Sequence, residues 1–317
     1  WRIWSAPAGL INFALLGWFI GLGRMRTALW LQLVLNVANM GLALVFVLGF
    51  GMRTAGVGAA AGIAEILAAV AGLWVAFGIV RPAWDARLVA EALHRGALLV
   101  MFQTNRDIMI RTVCVLLAGQ LFLKLGAAQG DTALAANALL MSLLFVTYFL
   151  LDGYANAAEM LVGQAVGARD GDAIETATRV SAMAAGVTGI LAAIAIAILA
   201  PIYIAFATPN AAVVSAANTY LPWAVLFPIV AVWCFLLDGI FIGATRARDM
   251  RDQMLVSFLV YAVALACLVP LFGNHGLWAA HAIFFIARAV TLWRRYPLIV
   301  ADARGPLAMS PVRPAPV

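Results

Sequence analysis

Five residues in one long apolar segment share a single helical face. Tyr148, Asp152, Ala155, Asn156 and Glu159 are separated by four, three, one and three residues, which places them on one stripe of an α-helix. Burial penalises the charged form of a carboxylate, so acids in this setting can exchange a proton or bind a cation. The stripe therefore predicts an ion-coupling or cavity site. In the structural alternative, Asp152 pairs with Arg106 or Arg111 and Glu159 reaches water at the helix end.

A second polar segment, residues 105–112 (NRDIMIRT), lies within the preceding apolar run. Asp107 and Arg111 lie four residues apart with the acid first, the order that favours an ion pair along one helix. We interpret Arg106 and Arg111 as structural ion-pair residues, with the head group of Arg106 extending toward the membrane interface. Asp107 and Asn105 are further candidates for a cavity or gate.

The elements that carry these residues must lie in lipid. Apolar residues make up 65% of the chain and charged residues 11%, whereas soluble domains contain about 25% charged residues. The net charge of +6 does not indicate a nucleic-acid partner, because the basic residues are dispersed between apolar runs and do not form one patch.

Long runs rich in Ala, Leu and Val predict an all-α, polytopic membrane protein, because the alternating pattern of a membrane barrel is absent. Nine transmembrane helices are expected. They fall near residues 3–21, 28–50, 55–80, 98–123, 133–164, 175–206, 213–243, 253–272 and 277–293.

The distribution of arginine predicts the orientation. Most of the 20 Lys and Arg residues fall in the odd-numbered breaks and the C-terminal tail, whereas the opposite side holds only Arg2, Arg53 and Lys124. Cytoplasmic loops carry the excess of basic residues in membrane proteins. We therefore expect a multi-pass protein of the inner (cytoplasmic) membrane with a cytoplasmic C-terminus.

An internal repeat predicts the domain organisation. Residues 17–26 (GWFIGLGRMR) recur as residues 239–248 (GIFIGATRAR), and six of the ten positions are identical. An even number of spans separates the copies, so two parallel six-helix lobes related by a pseudo-two-fold axis are expected. The shared helix-end motif comprises Gly17, Gly21, Arg24 and Arg26 in one copy and Gly239, Gly243, Arg246 and Arg248 in the other.

The repeat also predicts domain boundaries. Residues 1–80 would be the C-terminal three helices of the first lobe, and residues 81–97 a cytoplasmic linker. Residues 98–302 would form the six helices of the second lobe, followed by a cytoplasmic tail at 303–317. Nine of twelve helices would then be visible, and three would precede residue 1.

No sequence motif of an enzyme is present: HExxH, a Walker lysine and GxSxG are all absent, and Lys124 is the only lysine. The chain is therefore not expected to be an enzyme or to need a metal or organic cofactor. Two isolated ionisable residues have weaker interpretations. The lone acid Asp238 could cap the helix or pair with the arginines of the repeated motif, and His281 is expected to be a core residue.

The chain resembles the multidrug and toxic compound extrusion (MATE) family, specifically its DNA-damage-inducible F (DinF) branch. The resemblance covers essentially the whole chain, from the fourth family helix to the twelfth. Besides the repeated helix-end motif, it is carried by residues 105–112 (NRDIMIRT), 135–138 (AANA), 151–155 (LDGYA) and 163–170 (GQAVGARD). The coupling aspartate of this branch lies on a first helix that would precede residue 1, so assigning coupling to Asp152 is an independent hypothesis.

The resemblance implies an antiporter that exchanges cationic, amphipathic compounds for protons or sodium ions by alternating access. It would work as a monomer in the bilayer, without nucleic acid. A flippase for lipid-linked or polysaccharide precursors is the alternative within the superfamily, and it would need a more cationic cavity than Arg106, Arg111 and Arg288 provide. A non-transporting membrane scaffold or an inactive remnant is the alternative of another class.

Overall fold

The computed structural model describes residues 2–80 and 94–305, and every regular element in these ranges is helical. A short 3-10 turn, Arg2–Ser5, precedes the first helix, and a π-helical turn, Val45–Gly49, extends the second. The helices are α1 (Ala6–Gly21), α2 (Met25–Leu44), α3 (Arg53–Val80), α4 (Arg95–Ala127), α5 (Asp131–Gly167), α6 (Gly171–Ala207), α7 (Ala211–Gly243) and α8 (Ala247–Arg304).

All eight helices in the described ranges are long and apolar enough to cross a membrane. This confirms an all-helical, multi-pass membrane protein. The predicted runs at 253–272 and 277–293 both fall within α8, whose 58 residues would extend about 87 Å as one regular helix.

The backbone of α8 leaves helical geometry at Gly273, with φ 56° and ψ −129°. The residues on either side pair in antiparallel order: the hydroxyl groups of Ser257 and Thr291 lie 3.3 Å apart, and a Cβ atom at Gly276 would overlap the backbone of Leu268. Residues 247–272 and 274–304 therefore form a helical hairpin. A backbone conformation that glycine alone adopts readily makes this reversal possible.

Two compact units make up the chain, Trp1–Leu98 and Leu99–Val317. The first unit contains α1 to α3, whose contacts include a hydrogen bond of 2.8 Å from the Asn12 amide to the backbone carbonyl of Glu65. The second unit contains α4 to α8 and a larger buried core. Most of the predicted linker, 81–93, and the tail from 306 onward lie outside the described residues, whereas 95–97 already belong to α4.

Helices α5 and α7 approach each other backbone to backbone. A Cβ atom at Gly239 would lie 2.8 Å from the Cα atom of Ala155, and one at Gly243 would lie 3.0 Å from that of Glu159. A step of four residues from Gly239 to Gly243 on α7 corresponds to a step of four residues from Ala155 to Glu159 on α5. Residue numbers increase in the same direction along both helices, so the helices are parallel. The glycines of the repeated motif thus bring the polar stripe of α5 next to α7.

Three predicted cytoplasmic breaks share one turn geometry. The turns after α1, α5 and α7 have the same set of backbone hydrogen bonds, and their central residues, Gly23, Arg169 and Thr245, adopt a left-handed conformation with φ 70°, 55° and 56°. Asp170 also caps α6, since its carboxylate accepts a hydrogen bond of 2.9 Å from the Ala173 amide.

Candidate functional site

A cavity of about 750 Å³ lies within the second unit, between α4, α5, α7 and α8. Much of its wall is aromatic: the rings of Tyr148 and Phe235 lie 5.4 Å apart, and Phe285 stacks on Tyr148 at 6.1 Å. Phe122 and Phe284 add to the apolar wall. Such a surface suits a large amphipathic molecule, because aromatic rings offer extensive contact area and attract cations to their faces.

The stripe predicted on α5 faces this cavity. Tyr148, Asp152, Ala155, Asn156 and Glu159 all line it. Their side chains point in one direction because of the helical period. The close contact between α5 and α7 sets how deeply these side chains lie in the cavity. The structure therefore brings these five predicted residues together, whereas their role in coupling remains a prediction.

Two arginines converge on one buried carboxylate at the cavity wall. Arg288 donates to Oδ2 of Asp238 at 2.5 Å, and Arg111 donates to the same oxygen. The guanidinium of Arg288 also lies 5.5 and 5.3 Å from the ring centroids of Phe284 and Phe285. The predicted Asp107–Arg111 pair is therefore wrong, because α4 turns Arg111 toward α7. Pairing of Asp238 with the arginines of the repeated motif is likewise wrong.

Several polar atoms of this cluster have no hydrogen-bond partner within the described part of the chain. They are Asp238 Oδ1, Arg111 Nε, Arg288 Nε and the Tyr148 hydroxyl, all buried. Buried polar groups are normally satisfied by protein, water or a ligand. Because these atoms are enclosed in the cavity wall, an internal water molecule or a rearrangement of the wall would be needed to satisfy them.

Asp107 lies in a separate cluster. Its carboxylate accepts hydrogen bonds from Arg106, at 2.9 Å and 3.1 Å, and from Arg251 of α8, at 2.7 Å. Together with Arg248 these residues line a second pocket, of about 410 Å³. Asn105 is exposed and is not among the residues that line either pocket. Asp107 and Asn105 are thus not brought together with the α5 stripe.

The two copies of the repeated motif differ in their surroundings. Arg246 pairs with Asp249 at 2.9 Å and with Asp302. In the first copy Arg24 and Arg26 are exposed, and Cβ atoms at Gly17 and Gly21 would meet nothing within 4 Å in the described residues.

A buried polar group at the far end of the cavity was not predicted. Asn137 and Asn274 exchange hydrogen bonds of 2.7 and 2.9 Å through their side-chain amides, and Trp278 donates to Asn137 at 2.9 Å. The position of Asn274 directly after Gly273 was the available signal, because a helix break exposes polar groups that need partners. His281 is buried among aromatic rings, with Phe122 and Phe227 at 4.8 and 5.0 Å.

The sequence did not predict that Arg288 and Asp238 would pair at the wall of the cavity. The usable signal was that two ionisable residues in separate apolar runs tend to pair in a membrane. Among residues 2–80 and 94–305, no group of three or more His, Cys, Asp or Glu side chains is arranged to hold a metal ion.

Comparison with known proteins agrees with this architecture. The sequence model of the MatE family matches residues 108–268. The chain is 37% identical to the DNA damage-inducible protein F of Escherichia coli over 295 residues, covering 92% of this chain and 64% of that protein. It is 27% identical to the probable multidrug resistance protein NorM of Agrobacterium fabrum over 315 residues, covering 92% of this chain and 65% of NorM.

The fold is also that of solved transporters. The bent form of the Vibrio cholerae MATE transporter VcmN aligns with a TM-score of 0.82 at 19% identity, covering 96% of this chain and 69% of VcmN. The chain spans just under two thirds of the length of the two curated relatives described above. Because the family match covers half of the sequence and the helical fold agrees, the chain belongs to the MatE family.

Proposed function

We propose that this chain is part of a secondary active multidrug efflux transporter, which exchanges cationic, amphipathic compounds for protons or sodium ions by alternating access. The observation that carries the proposal is the cavity of the second unit, with its aromatic wall and its stripe of acids. Its volume of about 750 Å³ falls within the range of roughly 300–1,000 Å³ that is typical of sites for drug-sized ligands.

The charges around the cavity favour a cation. Asp238 is engaged by Arg111 and Arg288, so these three residues together carry one positive charge. Asp152 and Glu159 line the same cavity and have no ion-pair partner within the described residues. With all five groups ionised the cavity carries one net negative charge, which a cationic drug or a coupling ion would neutralise.

Asp152 is the proposed coupling residue, with Glu159 as a second acid and Tyr148 and Asn156 as polar neighbours. Asp152 experiences the charges of Asp238, Arg111 and Arg288 across the cavity. A proton or sodium ion at Asp152 would remove the negative charge that holds a cationic compound. The ion and the drug would therefore compete for the carboxylate, which is the requirement for exchange.

The architecture that we propose is two parallel six-helix lobes, of which this chain holds nine helices. The hairpin at Gly273 supports two crossings for α8, because residues 247–272 and 274–304 are each long enough to span a bilayer. In the described residues nothing lies within 4 Å of a Cβ atom at Gly17 or Gly21, so α1 has room for a partner helix like the one that α5 provides for the equivalent Gly239 and Gly243. The orientation with a cytoplasmic C-terminus, and a monomeric inner-membrane protein, belong to the same proposal.

Efflux from vesicles tests this function. The complete reading frame that carries this chain would be expressed in a strain lacking its own drug pumps. Uptake of a fluorescent lipophilic cation into everted vesicles would be measured under a proton gradient alone and a sodium gradient alone. We expect transport under one of the two gradients. Asp152→Asn should reduce it at least tenfold, and Asn156→Ala should reduce it less, because the amide carries no charge.

The alternatives give different results. A flippase would need the guanidinium groups of Arg111 and Arg288 to be available to anionic head groups, whereas both donate to Asp238. Drug transport that fails under both gradients, together with movement of a fluorescent lipid precursor, would favour the flippase. Unchanged transport by Asp152→Asn would refute the coupling role of that residue.

A further inference from the structure

A second large groove lies on the other side of α7, away from the acidic stripe. It has a volume of about 930 Å³ and lies between α6, α7 and the second segment of α8. Its wall includes large apolar side chains that remain 40–58% exposed, namely Ile229, Trp233, Ile286, Val290 and Trp293. In a membrane protein such a groove is filled by acyl chains, because no water is available there.

One end of the groove is cationic. Arg179 of α6 and Arg294 of α8 both line it, and neither has an ion-pair partner within the described residues. The acid at this end, Glu175, is paired with Arg304 at 3.2 Å. Two arginines are therefore available to an anion. Arg304 is shared between Glu175 and Asp172, so the three arginines and two acids at this end carry one net positive charge.

The contacts of Arg304 fix the relative heights of the two arginines on their helices. Arg304 contacts both Asp172 and Glu175, which aligns the beginning of α6 with the end of α8. At a rise of 1.5 Å per residue, Arg179 lies about 10 Å along α6 from Asp172 and about 6 Å from Glu175, and Arg294 lies about 15 Å along α8 from Arg304. The two arginines therefore differ in height by about one to two helical turns. Both face the same groove from opposite sides.

The surrounding residues place this end at the membrane interface. α6 has 37 residues, whereas about 20 span the hydrocarbon core, so part of it extends beyond the acyl chains. Its charged residues, Asp172, Glu175 and Arg179, all lie in the first turns, which identifies that end as the part outside the core. Trp293 and Tyr296 stack in parallel beside Arg294, with ring centroids 5.4 Å apart and an interplanar angle of 7°. Aromatic residues of this kind concentrate at the level of lipid head groups. The apolar part of the groove then extends into the bilayer.

We propose that this groove is a binding site for an anionic phospholipid of the cytoplasmic leaflet. Arg179 and Arg294 hold the phosphate, and one acyl chain lies along Trp233 and Ile286. Arginine suits this task because its guanidinium binds phosphate through paired hydrogen bonds. The cytoplasmic side follows from the distribution of arginine, which is also the side where basic pockets between helices meet anionic lipids.

Native mass spectrometry of the purified chain, first stripped of lipid in detergent, tests the site. Dioleoyl phosphatidylglycerol is titrated and compared with dioleoyl phosphatidylcholine. We expect one phosphatidylglycerol to be retained more tightly than the rest. In the Arg179→Ala/Arg294→Ala variant its affinity should fall about 25-fold, since each arginine near the surface contributes about fivefold. Phosphatidylcholine binding should change little.

Arg295→Ala is the matched control, because Arg295 is exposed next to Arg294 but is not among the residues that line the groove. It removes the same charge and should retain wild-type affinity, and Arg179→Lys/Arg294→Lys should retain most of it. Equal loss in Arg295→Ala, or no loss in the double alanine variant, would overturn the proposal. Dimers that disappear in the double variant while lipid binding is unchanged would identify the groove as an interface between copies, and would also overturn it.

Discussion

The seam between α5 and α7 gives the sharpest stability prediction. Replacing Gly239 with alanine adds a Cβ atom 2.8 Å from the Cα atom of Ala155, whereas non-bonded carbon atoms prefer 3.5–4.0 Å. The neighbouring atoms are backbone, so no side chain can rotate away. The two helices must separate by roughly 1 Å, which weakens every contact along the seam.

The magnitude follows from two opposing effects. Overpacking of this kind costs about 1–3 kcal/mol or more. Alanine in place of glycine inside a helix raises the free energy of unfolding by about 1 kcal/mol, because alanine has the higher helix propensity. The difference is a net loss of about 0–2 kcal/mol in the free energy of unfolding. Gly239→Ala should fall toward the upper end of this range, because its Cβ atom would overlap the carbonyl oxygen of Ala155. In a unit of this size such a change corresponds to a decrease in Tm of about 2–8 °C.

Gly153→Ala is the matched control. Gly153 lies within α5, two residues from Ala155, and a Cβ atom there would meet nothing within 4 Å in the described residues. This variant gains helix propensity without a clash, so its Tm should rise slightly. Thermal unfolding in detergent, followed by the loss of monodisperse protein on size-exclusion chromatography, measures both. A Tm for Gly239→Ala equal to or above that of Gly153→Ala would refute the close-packed seam.

Three further substitutions test the buried polar contacts and the hairpin. Asp238→Asn leaves the buried guanidinium of Arg288 without its counter-ion and should lower stability by about 3–5 kcal/mol; a yield of folded protein equal to wild type would argue against the pair. Asn137→Leu removes the acceptor of Trp278 and should lower stability by about 1–3 kcal/mol in thermal unfolding. A Tm equal to that of the wild type would show that this hydrogen bond does not stabilise the fold. Gly273→Ala places a Cβ atom on a backbone with φ 56° and should lower stability by about 1–3 kcal/mol, and an unchanged Tm would contradict the chain reversal there.

Contacts set by helical periodicity were predictable. The spacing of Tyr148, Asp152 and Glu159 fixes their common direction before any tertiary contact is known, and all three line one cavity. The apolar runs likewise locate the helices, because lipid requires continuous apolar stretches. Even the reversal near residue 273 corresponds to the predicted break between two runs.

Contacts between helices were not predictable in the same way. Arg111 has a local partner available four residues away, yet it pairs with Asp238, which is 127 residues distant in sequence. The choice depends on how α4 is rotated against α7, and that rotation is set by many small packing contacts. Asn137 and Asn274 are likewise 137 residues apart, and neither position reveals the other.

The glycine seam has a consequence for how the cavity could change shape. Asp152 and Asp238 stand on two helices that touch through bare backbone, so the distance between these acids should stay nearly constant during a transport cycle. Arg111 and Arg288 lie on α4 and α8, and no described glycine of these two helices packs against the backbone of α5 or α7. We expect Arg111 and Arg288 to move during the cycle while Asp152 and Asp238 keep their mutual distance. The electrostatic potential in the cavity would then change through the positions of the arginines.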